Sequence, residues 1–387
     1  MSNAPHFEID LDEFWMNPYP ILSKMRENFP LAYVPQLDAV LMTRRKDIFE
    51  NEKLIDVFSS FQPEGLMVKL MGNNMMRKDG QEHLNERKAI FPSISPKTVK
   101  NIWKKKFEKT TDEIIEKLLD KDGGDLLKEF GIPVSAEALK VVTGLTNMTF
   151  SEMDKVSQGM IDGIANYTNN PKIFDNCNLC TELIDKKIDE MIPKLIKNEN
   201  FSLLSVQLQS GLDNKQIKAN IKLAISGGQN EPRDALAGTV WALLSNPKQL
   251  KKVKNKKRSW VDAFEEYSRW IAPVGMSPRR IAKKFNLNGI TLEPEDKVFF
   301  MFGSANRDEE YFINPKSFDL DQDRSASIAF GAGPHFCAGA WISKCLIGEV
   351  ALPKLFERLP NIKLDETKKV IFGGWAFRGP LSVFCKW

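Results

Sequence analysis

Two stretches of this chain hold residues that can do chemistry. The first is FGAGPHFCAGA, Phe330 to Ala340, where Gly331, Gly333, Ala338 and Gly339 crowd around Cys337. A thiolate is a soft, strong metal ligand. Glycines reach backbone angles closed to other residues and let a flat ligand come close. From Ala340 the run reads as a helix, so Cys337 stands just before a helix N-terminus. Unpaired N–H groups and the helix dipole there favour an anionic sulfur. A buried cysteine in a glycine turn is the plainer alternative. The second stretch is SGGQNEPRD, Ser226 to Asp234, a polar insert in an otherwise helical run.

The remaining thiols point elsewhere. The chain has five cysteines, an odd number that argues against a disulfide framework. Cys177 and Cys180 form a lone CxxC with no second ligand pair, so a shared helix face is expected rather than zinc. A net charge of +4 is too small to argue for nucleic acid. The densest basic run, KQLKKVKNKKR at 248–258, is either a solvated loop or a docking face for an acidic protein.

The elements that must position these residues are mostly helical. The chain has 387 residues, 42% of them hydrophobic, enough for a large core. Helical spacing or capping marks 97–119, 135–143, 151–168, 177–197, 215–245 and 259–271. Residues 31–43 read as two short strands around a turn, and 297–302 as a buried strand. Asn288-Gly289 marks a turn between short strands. The expectation is one domain over 1–387, mainly α with a small β-rich region. No apolar run is long enough to span a membrane, and the N-terminus does not read as a signal peptide. A soluble, cytoplasmic protein is expected.

The full string FGAGPHFCAG resembles the haem-binding loop of the cytochrome P-450 family, Phe-Gly-x-Gly-x-His-x-Cys-x-Gly. Phe330, Gly331, Gly333, His335, Cys337 and Gly339 match every specified position. The resemblance implies haem b with Cys337 as the axial thiolate and metal ligand. It places Phe330 beside the sulfur, Gly339 against the cofactor and His335 at a haem propionate. Glu266 to Arg269, EYSR, resembles the family's ExxR element, whose i, i+3 spacing puts both charges on one helix face. Arg280, with Arg279 beside it, resembles the propionate-binding arginine of a following strand. His83 and Arg87, in HLNER, resemble the HxxxR of a propionate-binding helix. The implied fold is that of cytochrome P-450, with haem between the long central helix and the cysteine loop.

The chain departs from the family in that central helix. Relatives carry an acid and an alcohol there, which relay protons to dioxygen. Here Asn230 falls at the acid position and Glu231 at the alcohol, with Pro232 next. Proline inside a helix costs about 3 kcal/mol or more. Glu231 and Asn230 are the expected catalytic residues. Glu231 either relays protons, binds a polar substrate or pairs with an arginine. A carboxyl in low dielectric has a raised pKa, which suits proton delivery.

By family analogy the substrate pocket draws on 57–80, with Phe58, Phe61 and several methionines, and on Trp375 and Phe377. Amides and a carboxylate beside aromatic faces suit a small hydroxylated substrate. The chain resembles bacterial cytochromes that O-demethylate methylated sugars, 6-O-methyl-D-galactose in particular. The resemblance implies a monooxygenase with dioxygen as co-substrate. No flavin, nicotinamide or iron–sulfur segment is visible, so NAD(P)H electrons must arrive through separate proteins, a ferredoxin and its reductase. The alternatives are hydroxylation of a terpenoid, aromatic ether or fatty acid, and a peroxide-driven peroxygenase.

Overall fold

A computed structural model describes residues 2–166 and 169–387. The chain divides into two compact units. One comprises residues 62–236, 338–363 and 384–387, and the other residues 1–61, 237–337 and 364–383.

The first of these is helical. Its principal helices are Gly80–Ile94, Lys104–Leu119, Ile132–Thr143, Phe150–Ile164, Pro171–Lys197 and Asn214–Ser226. Two have reciprocal caps: Thr149 with Glu152, and Asp213 with Gln216. The end of the 151–168 prediction lies outside the described residues. Cys177 and Cys180 are buried on the face of Pro171–Lys197 that meets Phe150–Ile164. A Cβ on Gly163 would lie 2.6 Å from Cys177 Sγ, and one on Gly159 would lie 2.5 Å from Cys180 Sγ. The pair is therefore packing. Burial pushes the Cys177 thiol up to about 11. Among the described residues no His, Cys, Asp or Glu cluster suits a metal ion.

The expected long helix over 215–245 is in fact two. Asn214–Ser226 ends in a turn at Gly227 and Gly228, and a second helix, Asn230–Ser245, begins after Gln229. The break resolves the proline conflict, because Pro232 now sits in a first turn, where its missing N–H costs little. Carbonyls around the break are capped from neighbouring helices. Ser135 Oγ donates to Gln229 O at 2.8 Å, and Ser157 Oγ donates to Ile225 O at 3.1 Å.

The other unit is built on a five-stranded sheet in the order Leu31–Val34, Ala39–Met42, Lys297–Phe300, Ser277–Ile281 and Phe58–Ser59. Ala39–Met42 and Lys297–Phe300 run parallel, and the other neighbours are antiparallel. Met42, Phe58, Ile281, Val298 and Phe300 of the sheet pack with Ile48 of helix Arg45–Asn51 into a core. Phe58, expected in the pocket, belongs to this core against Phe285 and Phe300. Asn288 and Gly289 both take positive φ, 52° and 81°, turning the Phe285–Leu287 and Ile290–Leu292 hairpin. Helix Trp260–Ile271 carries the ExxR residues and starts from a Ser259–Asp262 capping box. Among the described residues no helix is long and apolar enough to cross a membrane.

Candidate active site

The cysteine loop is a tight, glycine-turned segment. Gly331 and Gly333 take φ of 72° and 62°, left-handed angles that favour glycine. The Cys337 N–H donates to Phe330 O at 2.9 Å, closing the turn. Cys337 is exposed, whereas Cys177, Cys180, Cys345 and Cys385 are buried. The one accessible thiol is thus the one in the loop. Phe330 stands edge-on to Phe264 with ring centroids 6.1 Å apart. The Gly339 carbonyl accepts from the Ser343 N–H at 2.9 Å and opens helix Ala340–Ser343. That helix continues through wider π-type turns, Lys344–Ala351, into Leu352–Arg358.

His335 and Arg280 converge on one short segment. His335 Nε2 lies 3.1 Å from Ser60 Oγ, and Arg280 Nε donates to the next carbonyl, Phe61 O, at 2.9 Å. Arg280 also pairs with Glu295 at the surface. Its neighbour Arg279 points the other way, as strand geometry requires, and pairs with buried Glu52 at 3.3 Å. The structure thereby separates the two adjacent arginines. Arg280 shares its side with the histidine, while Arg279 is held inside.

Glu266 and Arg269 are both fully buried. Arg269 grips the carboxylate with two bonds, at 2.8 and 2.7 Å. It also donates to the carbonyls of Asn306, Pro315 and Ser317 at 2.9–3.1 Å. The Asp319 N–H donates to Glu266 Oε1 at 3.0 Å. The pair is a staple for the segment that leads into the cysteine loop.

In the helical unit, His83 and Arg87 lie on helix Gly80–Ile94. His83 is buried with Nδ1 3.2 Å from Met75 O. Burial and the Arg87 charge lower its pKa. Beside it, buried Glu86 pairs with Lys78 and accepts from Asn220 at 2.7 Å and Gln216 at 2.9 Å.

Glu231 sits in the first turn of helix Asn230–Ser245. Its stem is partly exposed, but both carboxyl oxygens are sealed from solvent with no hydrogen bond to another residue. Burial pushes it up to about 7, against the pull of its own N–H at the helix start. The nearby arginine does not pair with it. Arg233 instead bridges Asp154 at 3.0 Å and Asp234 at 2.7 Å. The two residues before Glu231 are oriented the same way. Gln229 gives its amide N–H to Asp154 at 3.0 Å, and Asn230 gives its own to Gln158 at 2.9 Å. Gln229 Oε1 and Asn230 Oδ1 are left buried without a hydrogen bond. Each amide donates to the protein, and neither amide oxygen accepts from it.

Comparison with known proteins places this geometry. The cytochrome P-450 family model matches residues 128–359, and the chain belongs to that family. It is 25% identical over 376 residues to the polyketide biosynthesis cytochrome PksS of Bacillus subtilis, covering 91% of each chain. It is likewise 25% identical to pulcherriminic acid synthase of the same organism, over 97% of this chain and 96% of that one. The structure of P450BioI in complex with acyl carrier protein ligated to hexadec-9Z-enoic acid superposes with a TM-score of 0.89 at 19% identity, over 98% and 100% of the two chains. The fold is that of cytochrome P-450, and the protein is a monooxygenase, an oxidoreductase that uses haem iron and dioxygen.

The residues present fit a haem. An exposed thiol stands in a glycine loop, and a histidine and an arginine converge nearby on Ser60 and Phe61. Thiolate ligation pushes electron density to iron and favours O–O cleavage. Sequence reasoning missed Glu52, Ser60 and the Asp154–Arg233–Asp234 bridge. None of them carries a local motif.

Proposed function

We propose that this chain is a haem-thiolate monooxygenase with Cys337 as the iron ligand and His83, Arg87, Arg280 and His335 as propionate contacts, and that it O-demethylates a small methoxylated sugar. 6-O-methyl-D-galactose is the specific candidate, with formaldehyde as the second product. The observation that carries the substrate reading is the row of unbonded acceptors at Gln229, Asn230 and Glu231. A buried acceptor without a donor costs about 1–3 kcal/mol. Hydroxyl groups offset that cost, and a hydrocarbon chain does not. The named activities of the relatives differ widely at this identity and do not choose a substrate.

In this reading Glu231 holds a proton on its carboxyl up to about pH 7 and passes it on during dioxygen reduction. The single domain over 1–387 works in the cytoplasm with NAD(P)H electrons delivered by a separate ferredoxin and reductase. Basic residues around the site steer that acidic partner, so electron transfer slows as salt rises.

The test is a screen of methoxylated sugars against the purified holoenzyme, reading the haem spin state and then formaldehyde. Binding plus formaldehyde supports the reading. No response to any methoxylated sugar moves the substrate to a terpenoid, aromatic ether or fatty acid. Turnover with peroxide alone, at the rate reached with redox partners, makes the protein a peroxygenase. Cys337→Ala should abolish the thiolate-type spectrum of the reduced carbonyl complex. A histidine-type spectrum in the wild type overturns the ligand assignment.

A further inference from the structure

Glu52 is a buried acid with no place in the reading above. It caps the C-terminus of helix Arg45–Asn51 and is 3% exposed. Its two oxygens are divided. Oε1 meets Arg279 Nη2 at 3.3 Å, and Oε2 accepts the backbone N–H of Ala332. Ala332 lies between the two left-handed glycines of the cysteine loop. Both glycines pack on the same residue. A Cβ on Gly333 would come within 3.1 Å of Glu52 O, and one on Gly331 within 3.6 Å of Glu52 Oε1.

Arg279 has other partners. Its Nη1 donates to Ser277 Oγ at 2.6 Å and to Pro278 O at 2.9 Å, and its guanidinium lies 5.2 Å from the Phe300 ring centre. A counter-ion for this arginine needs only one carboxylate oxygen. The second oxygen is spent on the loop. Burial pushes the Glu52 carboxyl up to about 7, against Arg279 and the Ala332 N–H. A buried carboxylate is costly, so its place at this junction calls for a role.

We propose that Glu52 is a positioning residue for the thiolate: by binding Arg279 with one oxygen and the Ala332 N–H with the other, it ties the strand that carries Arg280 to the loop that carries Cys337. The inference rests on Cys337 being the iron ligand. The route is short. Gly331 N–H donates to Ile328 O and Cys337 N–H to Phe330 O, both at 2.9 Å, so fixing Ala332 fixes the turn that aims the sulfur. Only a carboxylate offers an acceptor on both sides. An amide turns its NH2 group towards either the guanidinium or the N–H. Aspartate, one methylene shorter, does not span the gap.

The experiment compares the holoenzyme with Glu52→Gln, Glu52→Ala and the double variant Glu52→Ala/Arg279→Met. The readouts are haem content, thermal unfolding, and the rate at which the reduced carbonyl complex loses its thiolate-type spectrum. Glu52→Gln should bind haem normally yet lose that spectrum about tenfold faster, the factor expected from one hydrogen bond to a charged group. The double variant leaves no buried charge unpaired. It should regain thermal stability but not the spectral lifetime. If it regains both, Glu52 is only the counter-ion of Arg279 and the proposal fails. A wild-type lifetime in Glu52→Gln overturns it as well. A wild-type enzyme with no thiolate-type spectrum removes the Cys337 assignment first, a different failure from either of these.

Discussion

Arg269 lies one helical turn after Glu266, and the two close a double hydrogen bond, 2.8 and 2.7 Å, with neither side chain exposed. The remaining guanidinium donors hold three carbonyls between Asn306 and Ser317. Removing one member strands the other. Loss of one partner of a buried pair costs about 3–5 kcal/mol. Glu266→Ala should therefore yield little soluble, haem-loaded protein. Normal haem content and an unchanged unfolding temperature in that variant would rule out the staple.

The same helix meets the Asn230–Ser245 helix through a glycine. A Cβ on Gly238 would lie 1.9 Å from Tyr267 Oη and 2.2 Å from its Cζ, and Tyr267 is fully buried. Gly238→Ala gains about 1 kcal/mol of helix propensity. Overpacking of this kind costs about 1–3 kcal/mol, and a clash with a ring that cannot move lies at the upper end. A net loss of stability is expected by denaturant titration. Adding Tyr267→Phe should not restore it, because the ring carbon remains in the way.

A matching test in the helical unit should behave differently. Gly159→Ala meets Cys180 Sγ at 2.5 Å, but the next Cys180 atom, Cβ, lies at 3.4 Å. Cys180→Ala removes the clashing atom. The double-mutant cycle should show favourable coupling of about 1 kcal/mol or more. Zero coupling means that the helices separate rather than interlock.

Glu231 makes stability and turnover depend on pH. Its folded pKa is raised from 4.5 to about 7. The folded state therefore keeps a proton that the unfolded chain releases across that window. Its contribution is fully present below pH 4.5 and falls as pH rises to about 7, by on the order of 3 kcal/mol. Glu231→Gln should flatten this part of the stability curve, so that the difference between wild type and variant changes by that amount between pH 4.5 and about 7. In turnover, product per electron should fall as pH rises through about 7 in the wild type. The variant should have low coupling at every pH, with more peroxide and nearly unchanged substrate affinity. Equal coupling in both proteins takes Glu231 out of proton delivery.

Sequence alone determined what is local. The cysteine loop and the ExxR turn were legible because their chemistry depends on spacing within a few residues. Helix Trp260–Ile271 and the 177–197 part of Pro171–Lys197 were legible because amphipathic periodicity survives in any context, whereas the first six residues of the latter were not read as helix. The break at Gly227 to Gln229 was visible only as a conflict, a proline and three polar residues in a helical run. The caps from Ser135 and Ser157, 94 and 68 residues away, decide where the carbonyls are satisfied. Likewise, adjacent arginines look alike in a sequence, and only the sheet sends Arg280 towards Phe61 and Arg279 inward. Glu52 gave no signal at all. Its partners Arg279 and Ala332 lie 227 and 280 residues further on. Burial and hydrogen bonding between such distant segments depend on tertiary packing, because backbone spacing specifies only near neighbours.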